Sequence, residues 1–361
     1  MTPLSYQYPD LSSVRRVLVT KLRHHGDVLL ASPVLTSLRR RFPEAEIDAL
    51  VYRDTREMLA GHPALARLHT IDRAWRQAGL LARWRAERAL LGQLKGRRYD
   101  LLVHLSTHNR GAWLARLLAP ACSVAPARPG RFWRGSFTHL YQEVGGNRRH
   151  TVENNLDSLR RIGIWPEPAD KRLVLMPGDE AAQTAQAHLD RLGLAAGRYL
   201  LLHPTSRWLF KCWPEARVTE LAQRLLEEGH SLLFTSGPDA RETAMVERIR
   251  AGIGRPVASL AGQLTLPQLA ALIARARLFI GVDSAPMHMA AAVGAPVAAL
   301  FGPSGEIDWG PWMAQSRVIT SRHTCRPCGR DGCGGSKRSD CLESISVEEV
   351  HAAVAALLGP A

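Results

Sequence analysis

Three short stretches of this 361-residue chain gather side chains that can do chemistry. In KLRHHGDVLL, residues 21–30, Asp27 follows a glycine where a helical pattern begins, and His24 and His25 precede it. A carboxylate there is either a helix N-cap or, at the C-terminal end of a strand, a general base that the histidines orient. Gly26 suits a close backbone approach or a positive φ, and Pro33 implies a helix that kinks or starts late. In HPTSRWLFKCWP, residues 203–214, Thr205 and Ser206 supply hydroxyls while Arg207 and Lys211 supply positive charge. Those groups hold a diphosphate without a metal; the same loop also reads as a solvated basic turn anchored by Trp208, Phe210 and Trp213. In GVDSAPMHMAAAVGAPVAALFGPS, residues 281–304, Asp283 and Ser284 end an apolar strand and Pro286 falls in the first helical turn. The free N–H groups of such a helix start make an anion site. Asp283 and Ser284 can equally be plain caps, and His288, one turn in, a core histidine.

These stretches need a scaffold that brings strand ends together. Short β-branched or leucine-rich runs alternate with longer amphipathic ones, the pattern of parallel sheets covered by helices. Strands are expected at 16–20, 46–51, 99–105 and 123–127, and again at 199–203, 231–235, 277–281 and 297–301. Helices are expected near 179–193, 214–228, 239–251, 266–275 and 286–293 in the second half. The stretch GIWPEPADKR, residues 163–172, has two prolines and no apolar period and reads as a linker. At ~100–200 residues per domain the length fits two domains. The expected architecture is two Rossmann-like, doubly wound α/β domains facing each other across a cleft: 1–168, 169–345, and a last helix in 346–361 able to dock on either. Neither GxGxxG nor GxxxxGK[ST] occurs, against a dinucleotide dehydrogenase or a P-loop NTPase.

Taken together and in this order, the three stretches resemble the heptosyltransferases of glycosyltransferase family 9, and their wording is most like the branch called heptosyltransferase III. The resemblance runs from about Arg15 to Leu358. It implies a GT-B fold with an N-terminal acceptor domain and a C-terminal nucleotide-sugar domain. It also implies an inverting transfer of L-glycero-D-manno-heptose from ADP-heptose to a heptose of the lipopolysaccharide inner core, with no metal or other cofactor in catalysis. Asp27 then matches the catalytic base, and Lys211 a residue needed for turnover. Thr205, Ser206, Asp283, Ser284 and His288 match donor-phosphate or sugar positions. Asp239 falls near the ribose or sugar, and Leu264 over the adenine. An alternative within the family changes the donor sugar or the acceptor.

Charge adds a partner. With 46% hydrophobic and 22% charged residues the chain is globular, and its net charge is +14. Residues 1–170 hold 27 Lys and Arg against 15 Asp and Glu, whereas residues 171–361 hold 20 against 18. A lipid-linked, phosphorylated core acceptor at the cytoplasmic face of the inner membrane would use that excess, and so would peripheral contact with the membrane itself. Two segments suit the contact, the arginine-rich stretch 75–98 and RPGRFWRGSFTHLY, residues 128–141. In the second, Arg128, Arg131 and Arg134, together with His24 and His25, are expected to meet the acceptor. No apolar run reaches the ~18–20 residues of a membrane span and no signal peptide is visible, so a cytoplasmic location is expected. Cys325, Cys328, Cys333 and Cys341, spaced C-x2-C-x4-C-x7-C, could close on a structural zinc. A basic zinc-knuckle protein that binds nucleic acid would leave the Asp27 and Lys211 stretches unexplained, so nucleic acid is not an expected partner.

Overall fold

A computed structural model describes residues 8–359. Its contacts divide the chain into two compact units, one of residues 1–144 and 151–174 and one of residues 145–150 and 175–361.

The first unit holds strands β1 (Arg16–Thr20), β2 (Glu46–Tyr52), β3 (Arg67–Ile71), β4 (Leu101–His104), β5 (Cys122–Pro126) and β6 (His139–Tyr141). All pair in parallel, in the order β3-β2-β1-β4-β5-β6. The helices are α1 (His25–Leu29), α2 (Ser32–Arg41), α3 (Leu80–Arg97), α4 (Asn109–Leu118), α5 (Arg131–Arg134) and α6 (Thr151–Arg160).

In the second unit lie β7 (Tyr199–His203), β8 (Ser231–Phe234), β9 (Ala258–Ser259), β10 (Leu278–Val282), β11 (Val297–Phe301) and β12 (Ser316–Thr320), in the order β12-β11-β10-β7-β8-β9. Its helices are α7 (Asp179–Leu192), α8 (Glu215–Glu227), α9 (Ala240–Ile253), α10 (Leu266–Ile273), α11 (Ala285–Ala292), α12 (Glu306–Trp309), α13 (Asp340–Glu343) and α14 (Val347–Leu358). Each sheet therefore starts in its middle, winds outward, and returns to the other side of its first strand. That reversal is where doubly wound sheets bind ligands.

Strands covered on both faces read as unbroken apolar runs, and YLLLH of β7, LFIGV of β10 and VAALF of β11 are buried at every position. The last helix packs against α8, β11 and β12, adding Val347, Val350 and Val354 to the core of the second unit. A capping box at Ser346 and Glu349 starts it. Burying side chains of this size contributes ~1.5–3 kcal/mol each, so the helix is fixed to that unit. The first unit buries one ionic cluster: Asp48 on β2 accepts from Arg97 at 2.8 and 3.1 Å and from the Tyr99 hydroxyl at 2.7 Å. Burial opposes its charge, but His69, Arg97 and Tyr99 prevail and hold the carboxyl down at about 2.

The stretch expected as a linker is part of the first unit. Pro168–Lys171 form a 3-10 turn, and Arg40 reaches Asp170 at 2.6 Å, Glu167 at 2.6 Å and the Trp165 carbonyl at 2.9 Å. The units are joined elsewhere as well, because residues 145–150 belong to the second. There the Asn147 side-chain oxygen accepts from the N–H groups of Ile307 (2.7 Å) and Asp308 (3.2 Å) at the start of α12, while Asp308 accepts from Asn147 N–H. His150 stacks on Trp312 with centroids 4.4 Å apart. Gly305 leaves the room, since a Cβ there would lie 2.4 Å from Asn147 Oδ1. Among the described residues no helix is long and apolar enough to cross a membrane.

Candidate active site

In the first unit the strand order reverses between β1 and β4. The chain leaving β1 places Lys21 first. This lysine is 5% exposed, its ammonium donates to Asn155 Oδ1 at 2.9 Å, and burial pushes its pKa down against the attraction of Asp27. Leu22 N–H donates to Ser106 Oγ at 3.0 Å, tying this turn to the one that leaves β4. Asp27 follows in the first turn of α1, its side chain 12% exposed and 3.4 Å from Arg23. His24, not Asp27, is the N-cap residue, and Gly26 is helical, so of the two uses the sequence offered it the positive φ does not apply. Asp27 is thus not the cap, and its side chain pairs with Arg23. A new helix begins at Ser32 with Pro33 in its first turn, the late start that Pro33 implied.

Of the expected acceptor residues, His25 donates to the Asp54 carbonyl at 2.8 Å while His24 stays exposed. Arg128 is held at the turn leaving β4, donating to the Thr107 carbonyl at 2.6 Å and Asn109 Oδ1 at 2.8 Å. Arg131 and Arg134 are exposed on α5, whereas Trp133 beside them is buried and donates to the Pro126 carbonyl at 2.9 Å.

In the second unit the order reverses between β7 and β10, and the structure joins their two turns directly. Lys211 Nζ lies 2.6 Å from Asp283 Oδ2, the lysine side chain 23% exposed and the aspartate 9%. Ser284 is the N-cap residue of α11, but its hydroxyl makes no cap bond and is buried without a hydrogen-bond partner. An unused hydroxyl, a helix start and an ammonium held by a buried carboxylate together suit an oxyanion. β10 approaches β7 closely at Gly281, where a Cβ would sit 3.0 Å from the His203 carbonyl. His288 is buried one turn along α11.

The hydroxyl loop is arranged differently from expectation. Thr205 is fully buried and donates to Glu242 Oε2 at 2.7 Å; Ser206 Oγ accepts from Trp208 N–H at 3.3 Å. Glu242 also accepts from Gly237 N–H at 3.2 Å, and a Cβ at Gly237 would lie 2.9 Å from that carboxylate. Glu242 therefore fixes both the Thr205 loop and the turn after β8. Asp239 caps α9 through Arg241 N–H at 2.9 Å and pairs with the Arg241 side chain at 3.0 Å. Leu264 is half-buried and outside the core cluster. Lys21 and Glu242 were not anticipated. The signal for Glu242 was present in Asp239-x-x-Glu242, the spacing of a capping box, although the glutamate turns to Thr205 instead.

The four clustered cysteines give no support for a zinc. Among the described residues no three His, Cys, Asp or Glu side chains gather into a set able to hold an ion. Cys341 is buried in α13 beside the core residue Leu342, while Cys325 and Cys328 are exposed.

A family model described as glycosyltransferase family 9 (heptosyltransferase) matches residues 87–337. The chain belongs to glycosyltransferase family 9. It is a glycosyltransferase, 38% identical over 295 residues to lipopolysaccharide heptosyltransferase 3 of Escherichia coli, across 81% of this chain and 84% of that one. This agrees with the branch resemblance in the sequence. Among solved structures, the family 9 glycosyl transferase of Veillonella parvula superposes with a TM-score of 0.80 at 23% identity, covering 95% of this chain and 97% of that one. The E. coli heptosyltransferase WaaC with ADP-2-deoxy-2-fluoro heptose gives 0.71 at 22%, covering 94% and 98%. The two parallel sheets are those of the GT-B fold expected from the sequence.

Proposed function

We propose that this family 9 enzyme transfers L-glycero-D-manno-heptose from ADP-heptose to a heptose of the lipopolysaccharide inner core, with inversion and with protein cations in place of a metal. The observation that carries the donor half is the Lys211–Asp283 pair, 2.6 Å apart at the strand reversal, beside the unpartnered Ser284 hydroxyl at the start of α11. The related E. coli heptosyltransferase WaaC, solved with ADP-2-deoxy-2-fluoro heptose, supports the choice of donor. In the reaction Asp27 accepts the proton of the acceptor hydroxyl as that oxygen bonds to the anomeric carbon. The bond from that carbon to the diphosphate oxygen breaks, and ADP departs with the electron pair. Lys211 and the N–H groups opening α11 stabilise the charge as it grows on the leaving phosphate. Glu242 keeps the Thr205–Ser206 loop in place, Asp239 and Leu264 flank the nucleoside, and His288 supports the phosphate or sugar side. The first unit binds the acceptor, with Arg128, Arg131 and Arg134 meeting its acidic groups, and the second unit binds the donor.

A donor panel tests the reading. ADP-heptose, UDP-sugars and GDP-sugars are offered with truncated lipopolysaccharide acceptors, and the product's anomeric configuration is read by NMR in buffer containing EDTA. The expected result is transfer from ADP-heptose alone, inverted and EDTA-resistant. Equal use of a UDP-sugar would leave a family 9 transferase with a different donor.

A further inference from the structure

The first unit carries a second surface, on α3 and α4, that adjoins the proposed acceptor contacts only along α5. In the arginine-rich stretch 75–98, α3 starts at Leu80, after a 3-10 turn at Arg73–Arg76, and buries Leu90 and Leu94 in the core. Its first half is buried nowhere. Leu80, Leu81 and Trp84 are 86, 60 and 55% exposed, and on the neighbouring elements Trp113, Leu117 and Phe132 are 56, 42 and 38% exposed. Part of the patch is a groove, with Leu80 and Leu81 preceding it on α3. Trp84, Leu91, Trp113 and Leu117 line a single groove of about 510 Å³, and the Trp113 ring lies 4.9 Å from that of Phe132. Exposed apolar patches of this kind mark a site of contact with something else.

The charge around the patch says what that is. Apart from Arg97, which is buried against Asp48, α3 and α4 carry six Lys and Arg and a single acid, Glu87. Arg110 neutralises Glu87 through two bonds of 2.7 and 2.6 Å. Cations sit on the aromatic rings themselves, Arg88 at 5.2 Å from the Trp84 centroid and Arg116 at 4.8 Å from that of Phe132. A second copy of this face would bring like charges together. A nucleic acid would use the arginines but leave Leu80 and Leu81 in water. Anionic headgroups above acyl chains satisfy both, with Trp and Phe at the interface and arginines among the phosphates.

We propose that the face built by α3 and α4 docks the enzyme on an anionic lipid bilayer, with Leu80, Leu81, Trp84 and Trp113 entering the headgroup boundary. The inference deepens the proposed reaction, whose acceptor is lipid-linked, yet its test needs no sugar. The full chain is sedimented with vesicles of phosphatidylethanolamine and phosphatidylglycerol, and with vesicles of phosphatidylcholine alone. The native protein should bind the anionic vesicles at least about tenfold more tightly than the neutral ones. Trp84→Ser with Trp113→Ser should weaken binding about tenfold, and Arg83→Gln with Arg85→Gln and Arg88→Gln should remove the preference for anionic lipid. Both variants should keep the native Tm and the transfer rate on a lipid-free acceptor, because every position changed is exposed. Equal binding by native protein and either variant would overturn the proposal. So would a fall in oligomer mass on replacing the tryptophans, which would assign the face to a second copy, or salt-sensitive RNA binding with no vesicle binding. Vesicle binding without transfer would instead sink the proposed function and leave the surface standing.

Discussion

At the ends of β1 and β4 the first unit sets a half-buried carboxylate, Asp27, near a buried cation, Lys21; at the ends of β7 and β10 the second sets a more exposed cation, Lys211, on a buried carboxylate, Asp283. The strand order around the two places is the same. What is inverted is which charge faces outward. In the first unit the lysine is held inside by Asn155, and the group left accessible is one that can accept a proton. In the second the aspartate is inside, and the accessible group is one that can hold an oxyanion. The shared topology thus supplies the location, and a swap of buried and exposed charge supplies the division of labour.

The comparison breaks most visibly at Asp27. Asp27→Asn keeps the shape but not the proton acceptor, and turnover should fall by about 10²–10⁴-fold with both KM values nearly unchanged, measured as initial rates. A loss below tenfold would remove the base from the first unit. At the other reversal, Lys211→Ala leaves Asp283 buried and uncompensated. Turnover should drop about a hundredfold, and thermal unfolding should show a stability loss of about 2 kcal/mol. Adding Asp283→Asn should restore stability but not turnover. Recovery of both would make the pair purely structural.

The smallest effect separates the units by acid. Burial holds His62 near 4, His104 near 3 and His203 near 4, and the partners of Asp48 hold its carboxyl near 2. All four folded-state values lie below the unfolded ones, so their contribution is complete above about pH 6.5 and is lost as pH falls towards about 4 for His62 and His203, towards about 3 for His104, and from about 4 to 2 for Asp48. Three of the four lie in the first unit. Its amides should lose hydrogen-exchange protection at a higher pH than those of the second, and simultaneous loss would show that the two unfold together.

How much of this was legible follows from burial. The eight strands expected from the sequence, β1, β2, β4, β5, β7, β8, β10 and β11, are the interior strands of the two sheets. The four missed, β3, β6, β9 and β12, are the edges, and SRVIT of β12 with its exposed Arg317 and Val318 carries no apolar run to find. Asp27, Lys211 and Asp283 could be found because they sit on turns leaving interior strands. Lys21 and the Thr205–Glu242 bond could not, since each depends on a partner from a distant element, Asn155 for the one and α9 for the other. The proline-rich stretch at 163–172 misled for the same reason. What makes it part of a unit is Arg40, 130 residues before Asp170.

The six residues 145–150 carry a further consequence. Because they belong to the second unit while their neighbours on both sides belong to the first, the chain passes between the units three times. Neither half is a contiguous segment of the gene. A chimera spliced from two relatives at residue 174 would inherit the Asn147 that caps α12 from one parent and α12 itself from the other. Recombination within this lineage therefore has to carry the hexapeptide along with the later half, or match Asn147, Gly305 and Asp308 across parents.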